Sequence, residues 1–227
     1  MTIFQKVKST FSDLRHWWGD HLDVRTYLYV ELQKLENQKV LDVGCGTGNL
    51  MPALSDSNRV YGTEMDPHAA TLARQLNPRA DVRLVRTSRL PFAKRFFDVV
   101  VCAHVIEVVP ASERAVFLRE IHRVLKPRGL LLLTTPNNAR YRSTKLDRRQ
   151  LQTALSALFD ADIREWNPLP DFPYFLPARL LSRIPGMFGF LSFLMDRRWF
   201  VGRGKAFFVT ATPLQQKRKP LKKRKRA

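Results

Sequence analysis

Apolar residues along the chain follow two different rhythms. Near the start, Phe4, Val7, Phe11, Leu14 and Trp18 recur every three or four positions, and after a Gly19-Asp20 break a second series follows at Val24, Tyr27, Leu28, Leu32 and Leu35. That spacing puts an apolar stripe on each of two helices. Beyond them the apolar residues gather into short runs, which predict strands at Lys39–Val43, Arg59–Thr63, Val82–Val85, Phe97–Cys102 and Leu130–Thr134, a weak strand at Asp162–Trp166 and a final one at Lys205–Ala211. Helices are predicted directly after Gly48, over Pro67–Leu76, from Ser112 to Leu125 ahead of the turn Lys126-Pro-Arg-Gly129, and over Arg148–Phe159. Short buried strands alternating with helices specify an α/β fold with a doubly wound, mostly parallel sheet of seven strands.

The pattern divides the chain into an N-terminal helical cap (1–36), one catalytic-size domain (37–212) and a basic tail (213–227). Within the domain, residues 168–204 break the alternation: they hold five of the fourteen prolines together with Phe172, Tyr174, Phe175, Phe188, Phe190, Phe193 and Trp199. They read as an insertion before the last strand that covers or extends a site. With 227 residues, 44% of them hydrophobic, the chain is long enough for a single well-buried core. The net charge is +19, and the run Lys217–Arg226 supplies eight of those charges without one acid, so the folded part is less basic than the total. Cys45 and Cys102 stand alone in apolar segments, which fits a reducing compartment and provides no metal cluster. The first residues lack an export-type apolar core and no window reaches membrane-spanning length. The expectation is a cytoplasmic protein, peripheral at the inner membrane surface if the insertion and tail meet anionic headgroups.

The densest chemical signal is Val40–Leu50, VLDVGCGTGNL, with three glycines in five positions behind an apolar run. A strand ending at Asp42, then Gly44-x-Gly46-x-Gly48, brings backbone amides close to a ligand with no Cβ in the way; a tight strand-to-helix turn is the plainer reading. The next strand ends in Tyr61-Gly62-Thr63-Glu64 and so places an acid where a ribose diol can be hydrogen-bonded. A nicotinamide dinucleotide fits less well, because its G-x-G-x-x-G pattern sets the third glycine one residue later.

These blocks resemble the class I S-adenosylmethionine-dependent methyltransferases, in particular their small-molecule, type 11-like branch. The resemblance runs from about Lys39 to Asn138 and is carried by VLDVGCGTG, VYGTEMDP, LPF with FFDVVVCAHVIEVV, and FLREIHRVLKPRGLLLLTTPN. It implies S-adenosylmethionine as cofactor. Asp42, Gly44, Cys45, Gly46 and Gly48 would surround its methionine half, Glu64 its ribose with Asp66 as the alternative acid, and Met65, Ser88 and Leu90 its adenine. Two positions depart from the family: Val85-Arg86-Thr87-Ser88-Arg89 lacks the acid that relatives place before LPF, and Glu107-Val108 stands where relatives often have Glu-His.

Methyl transfer from a sulfonium needs alignment and exclusion of water, plus a base where the acceptor carries a proton. His104, at the end of the predicted fourth strand, is the candidate base, with a strand-end structural role as its alternative. Glu107 is placed to orient it or to contact the cofactor, and Asn137, beyond the fifth strand, to bind substrate. No metal is expected. Because of the aromatic insertion the expected partner is a small, hydrophobic or lipid-like acceptor, with an anionic membrane surface beside it. A nucleic-acid partner ranks lower, since Ala103-His104-Val105-Ile106 replaces the Asn/Asp-Pro-Pro-Tyr type motif of base-amine methyltransferases. A third reading is a degenerate scaffold that binds cofactor poorly. The sequence leaves the oligomeric state open.

Overall fold

The computed structural model describes residues 22–87, 89–136, 146–166 and 206–214. The first predicted helix, Ser88, Asn137, the 168–204 insertion and the basic tail beyond Leu214 lie outside the described residues.

Helix α1 (Leu22–Gln33) leads into strand β1 (Lys39–Val43), followed by β2 (Arg59–Glu64), α2 (Pro67–Leu76), β3 (Asp81–Leu84), β4 (Phe97–Ala103), α3 (Ala111–Val124), β5 (Leu125–Pro136), α4 (Arg148–Ser156), β6 (Phe159–Trp166) and β7 (Ala206–Pro213). The strands form one sheet in the order β3-β2-β1-β4-β5-β7-β6. All pair in parallel except β7, which runs antiparallel to both β5 and β6. The sheet is thus mostly parallel, as the alternation predicts. Chain order reverses between β1 and β4, and in sheets of this kind the crevice beyond the strand carboxyl ends at that point is where ligands bind.

Alternate residues of the central strands feed two cores. Leu41, Val43, Val100, Cys102, Leu131 and Leu133 pack with Phe117, Leu118, Ile121 and Val124 of α3 and with Leu151 and Leu155 of α4. On the opposite face Val40, Val99, Val101 and Leu132 meet Leu28 and Leu32 of α1. Burying each such side chain stabilises by about 1.5–3 kcal/mol, which is why a run of consecutive apolar residues is required in a strand covered on both sides.

Three boundaries differ from the sequence expectation by more than two residues. Instead of a helix after Gly48 there is one 3-10 turn, Met51–Ala53, with Pro52 at its start. Asn58 then ties the chain back, its Nδ2 donating to Leu35 O at 2.7 Å and its Oδ1 accepting from Gln38 N at 2.9 Å, so a single turn spans the space available. Strand β5 begins at Leu125, not Leu130, because Leu125 pairs with Phe97 before the Lys126–Gly129 turn bulges out and pairing resumes at Val99 with Leu130. Helix α4 stops at Ser156, and Phe159, predicted as its last residue, opens β6 opposite Pro213.

At the amino ends of the strands Asp98 holds that bulge. Its carboxylate accepts from Lys126 Nζ at 2.6 Å and from the Lys39 backbone N–H at 3.1 Å. Partial burial, the largest single influence, raises its pKa, but the bonds from Lys126 and Lys39 together outweigh it and hold the group below the ordinary 3.8. The stabilisation is therefore complete above pH ~4 and is lost as pH falls through the lower folded-state value. In chemical denaturation between pH 3 and 7, Asp98→Asn is expected to be less stable than the wild type near neutrality, with the difference shrinking as pH drops; a difference independent of pH would contradict the assignment.

Candidate cofactor and catalytic cleft

Beyond Val43 the backbone turns through three left-handed residues, with φ of +67° at Gly44, +56° at Gly46 and +77° at Gly48. Such angles cost a side-chain-bearing residue about 1–2 kcal/mol each. The N–H groups of Gly44 and Cys45 both donate to Thr63 O, at 2.8 and 3.0 Å, which fastens the loop to the end of β2. A Cβ on Gly44 would lie 2.5 Å from Val105 Cγ2, so the loop after β4 packs directly on the glycine backbone. A Cβ on Gly46 would meet no atom within 4 Å, which leaves open room beside the backbone at that point.

Glu64 fastens the same loop from below. Its Oε2 accepts the Gly46 N–H at 2.8 Å, while Oε1 accepts those of Met65 at 2.7 Å and Asp66 at 2.9 Å. Three charge-assisted bonds leave one acceptor site, on Oε2, for a ligand hydroxyl. Asp66 serves differently: its Oδ1 caps α2 by accepting from His68 N at 2.7 Å and Ala69 N at 3.0 Å, and those N–H groups lower its pKa. Met65 is 62% exposed at the strand tip.

A cleft of about 190 Å³ is lined by Asp42, Gly44, Cys45, Gly46, Thr47, Asn49, Leu50, Ala103 and His104. The structure thus brings together Asp42, three of the four predicted loop residues and His104. Gly48 is buried beneath the loop with its backbone against Asn77, and Leu90, 4% exposed, is turned into the core. Both backbone groups of Leu90 are committed to α3, its N–H to Glu120 Oε2 at 3.0 Å and its carbonyl to Arg123 at 2.9 Å. Arg123 also reaches Phe92 O at 2.8 Å and pairs with Glu120, which lowers the Glu120 pKa, so α3 fixes the LPF segment as a unit. Burial, then the charges of Asp42 and Glu64, raise the Cys45 thiol pKa far above its ordinary value, so the group packs as a thiol. Burial raises that of Cys102 as well.

The opposite wall comes from the end of β4. His104 has φ +58° and donates its N–H to Thr134 O at 3.0 Å. Its Nδ1 lies 3.2 Å from Glu107 Oε1, and the two side chains are only 10% and 9% exposed. Thr135 Oγ1, fully buried, donates to Glu107 Oε2 at 3.1 Å. Arg114 Nε pins the intervening loop through the carbonyls of Ile106 and Val109. The sequence reading missed Thr47, Asn49 and Leu50, although all three lie within the quoted glycine stretch. It also missed Ala103, whose only signal is its place at a strand end, and it places Thr135 at the cleft only as part of Thr135-Pro136-Asn137, without its bond to Glu107. Among the described residues no cluster of His, Cys, Asp or Glu is arranged to hold a metal ion.

This cleft fits the cofactor that the resemblance implies. Backbone lies bare beside open space at Gly46, a carboxylate with one spare acceptor stands at the adjoining strand tip, and half-buried polar walls face each other across the switch point. Residues 41–133 match the family model described as a methyltransferase domain. A probable S-adenosylmethionine-dependent methyltransferase of Mycolicibacterium smegmatis is 36% identical over 123 residues, 54% of this chain and 46% of that one. A ubiquinone biosynthesis O-methyltransferase of Pseudomonas aeruginosa is 32% identical over 143 residues, 56% and 61% of the two chains. The chain spans roughly half the length of these curated relatives. A solved TehB-like S-adenosylmethionine-dependent methyltransferase from Corynebacterium glutamicum shares the fold, with a TM-score of 0.62 at 19% identity over 92% of this chain and 97% of its own.

The two glycines separate stability from binding. Gly44→Ala adds overpacking against Val105 to the left-handed penalty, about 2–5 kcal/mol together, and should appear as a lowered urea midpoint. Gly46→Ala should cost only the backbone penalty of about 1–2 kcal/mol yet weaken S-adenosylmethionine more than Gly44→Ala does in isothermal titration. Glu64→Ala should weaken that binding by about 1–3 kcal/mol; unchanged affinity would remove Glu64 from the site.

Proposed function

For a chain that carries the class I S-adenosylmethionine-dependent methyltransferase domain, with S-adenosylmethionine as cofactor, we propose methyl transfer to a small, hydrophobic acceptor bearing an acidic O–H. The observation that carries this reading is His104 at the cleft wall, with Glu107 on its Nδ1 side at 3.2 Å. The bound cofactor supplies an electrophilic methyl group on a sulfonium. The protein's part is to hold the donor against the glycine loop, keep water out and take up the acceptor's proton. His104 does the last: an imidazole beside a carboxylate accepts the proton as the oxygen forms its new bond to carbon, and the resulting positive charge is stabilised by Glu107. The glycine loop and His104 line one cleft, so a donor held by the loop and the candidate base would face the same space.

Support for the acceptor class comes from the ubiquinone biosynthesis O-methyltransferase among the relatives and from the apolar and aromatic residues of 168–204, a composition suited to covering a hydrophobic molecule. On the same reading, that insertion and the cations of Lys217–Arg226 hold the protein peripherally at an anionic membrane where such an acceptor dissolves.

The test is transfer of labelled methyl groups to a panel of prenylated phenols, catechols and hydroxyquinones, with oligonucleotides as a comparison set. At least one phenolic class should be methylated, and His104→Asn, which tolerates the left-handed backbone, should lower kcat about 10²–10⁴-fold while cofactor affinity stays within a few-fold. Transfer to oligonucleotides alone, or full activity in His104→Asn, would overturn the reading.

A further inference from the structure

We infer that Thr135 is a positioning residue: through Glu107 it commits His104 to the tautomer with the proton on Nδ1 and the lone pair on Nε2. The inference deepens the assignment of His104 as base and rests on it for its catalytic meaning, though its structural content stands independently.

The argument begins with what each group is able to donate. An ionised carboxylate only accepts. The Glu107 carboxylate takes the Thr135 hydroxyl on Oε2 at 3.1 Å and faces His104 Nδ1 with Oε1 at 3.2 Å, so the ring nitrogen must be the donor on that side. A neutral imidazole that donates from Nδ1 carries its lone pair on Nε2, the form a general base requires.

What makes Thr135 the origin of this order is where it stands. It lies in β5, paired with Phe207 of β7, and its neighbour Thr134 pairs with Ala103 of β4. Its Cα is therefore fixed within the sheet, and a β-branched side chain has little rotamer freedom of its own. Glu107, by contrast, sits in the loop after β4 on a longer side chain, and Thr135 anchors one of its two oxygens directly to the sheet. The two adjacent threonines divide the work: Thr134 O holds the backbone of His104 at 3.0 Å in its left-handed turn, and Thr135 Oγ1 holds the carboxylate that holds the ring.

The tautomer is read directly, without an acceptor, from long-range ¹H–¹⁵N spectra of the full chain labelled with ¹⁵N-histidine, above the pH where imidazoles titrate. His104→Asn identifies the signal by its loss. The wild type should show the Nδ1–H pattern, Thr135→Ser should keep it, and Thr135→Val should reduce the Nδ1–H to Nε2–H ratio about tenfold at an unchanged cofactor affinity. If Thr135→Val does not fold, Thr135→Ala serves in its place and should lower the ratio likewise. An Nε2–H wild type, or a ratio unmoved in a folded Thr135→Val or Thr135→Ala, overturns the inference. An Nδ1–H tautomer in a protein whose His104→Asn variant still transfers methyl groups at the normal rate instead overturns the base assignment and leaves the positioning by Thr135 standing.

Discussion

Everything at the cleft depends on how closely two loops approach each other. Val105 occupies the space that a Cβ on Gly44 would need, with Cγ2 only 2.5 Å from it, so the glycine loop and the loop after β4 are packed backbone to side chain. Neither can shift without the other. Since Glu64 and Thr63 hold the glycine loop from β2, and Thr134 and Arg114 hold the opposite loop from β5 and α3, the cleft inherits the rigidity of the central sheet. That rigidity is what in-line transfer requires, because small displacements between donor and acceptor forfeit much of the advantage of proximity.

Four of the described positive-φ residues frame the cleft, while Asn37 and Arg95 stand at the amino ends of β1 and β4. Gly44, Gly46, Gly48 and His104 all have positive φ, and all lie within the two loops that build or underlie the cleft. For the glycines the conformation is nearly free of cost; for His104 it is not. A histidine held there must be over-determined by its surroundings, and the hydrogen bonds to Thr134 O and Glu107 together with the packing of the next residue, Val105, on Gly44 provide this. At the opposite edge of the sheet Asp98, Lys126 and Lys39 form a stabilising cluster.

How much of this was legible in the sequence follows from the range of each signal. Strands β1, β4 and β5 announce themselves as apolar runs because both of their faces are covered, and the spacing of Gly44, Gly46 and Gly48 is a local consequence of bare backbone. The 3-10 turn at Met51–Ala53 was misread as a helix although Pro52 was visible, because what limits its length is Asn58 bonding to Leu35 and Gln38, a contact across twenty residues. Leu90, the first residue of LPF, reads as a cofactor contact in the sequence; its setting is decided by Glu120 and Arg123, thirty residues on. Thr135 is legible in the sequence only as part of Thr135-Pro136-Asn137, a strand end facing the cleft; its bond to Glu107 appears only when β4 and β5 pair.

The same reasoning bears on the position where this chain departs from its relatives. Val108 stands where they often carry a histidine, and that loss seemed to remove a polar group from the site. Yet position 108 is 74% exposed here, whereas His104 is 10% exposed, bonded to Glu107 and part of the cleft wall. An imidazole at 108 would face water, which screens its interactions, while the one at 104 is buried beside the carboxylate of Glu107. On the proposed mechanism the base is the buried imidazole at 104, so a valine at the exposed position 108 leaves that candidate base in place.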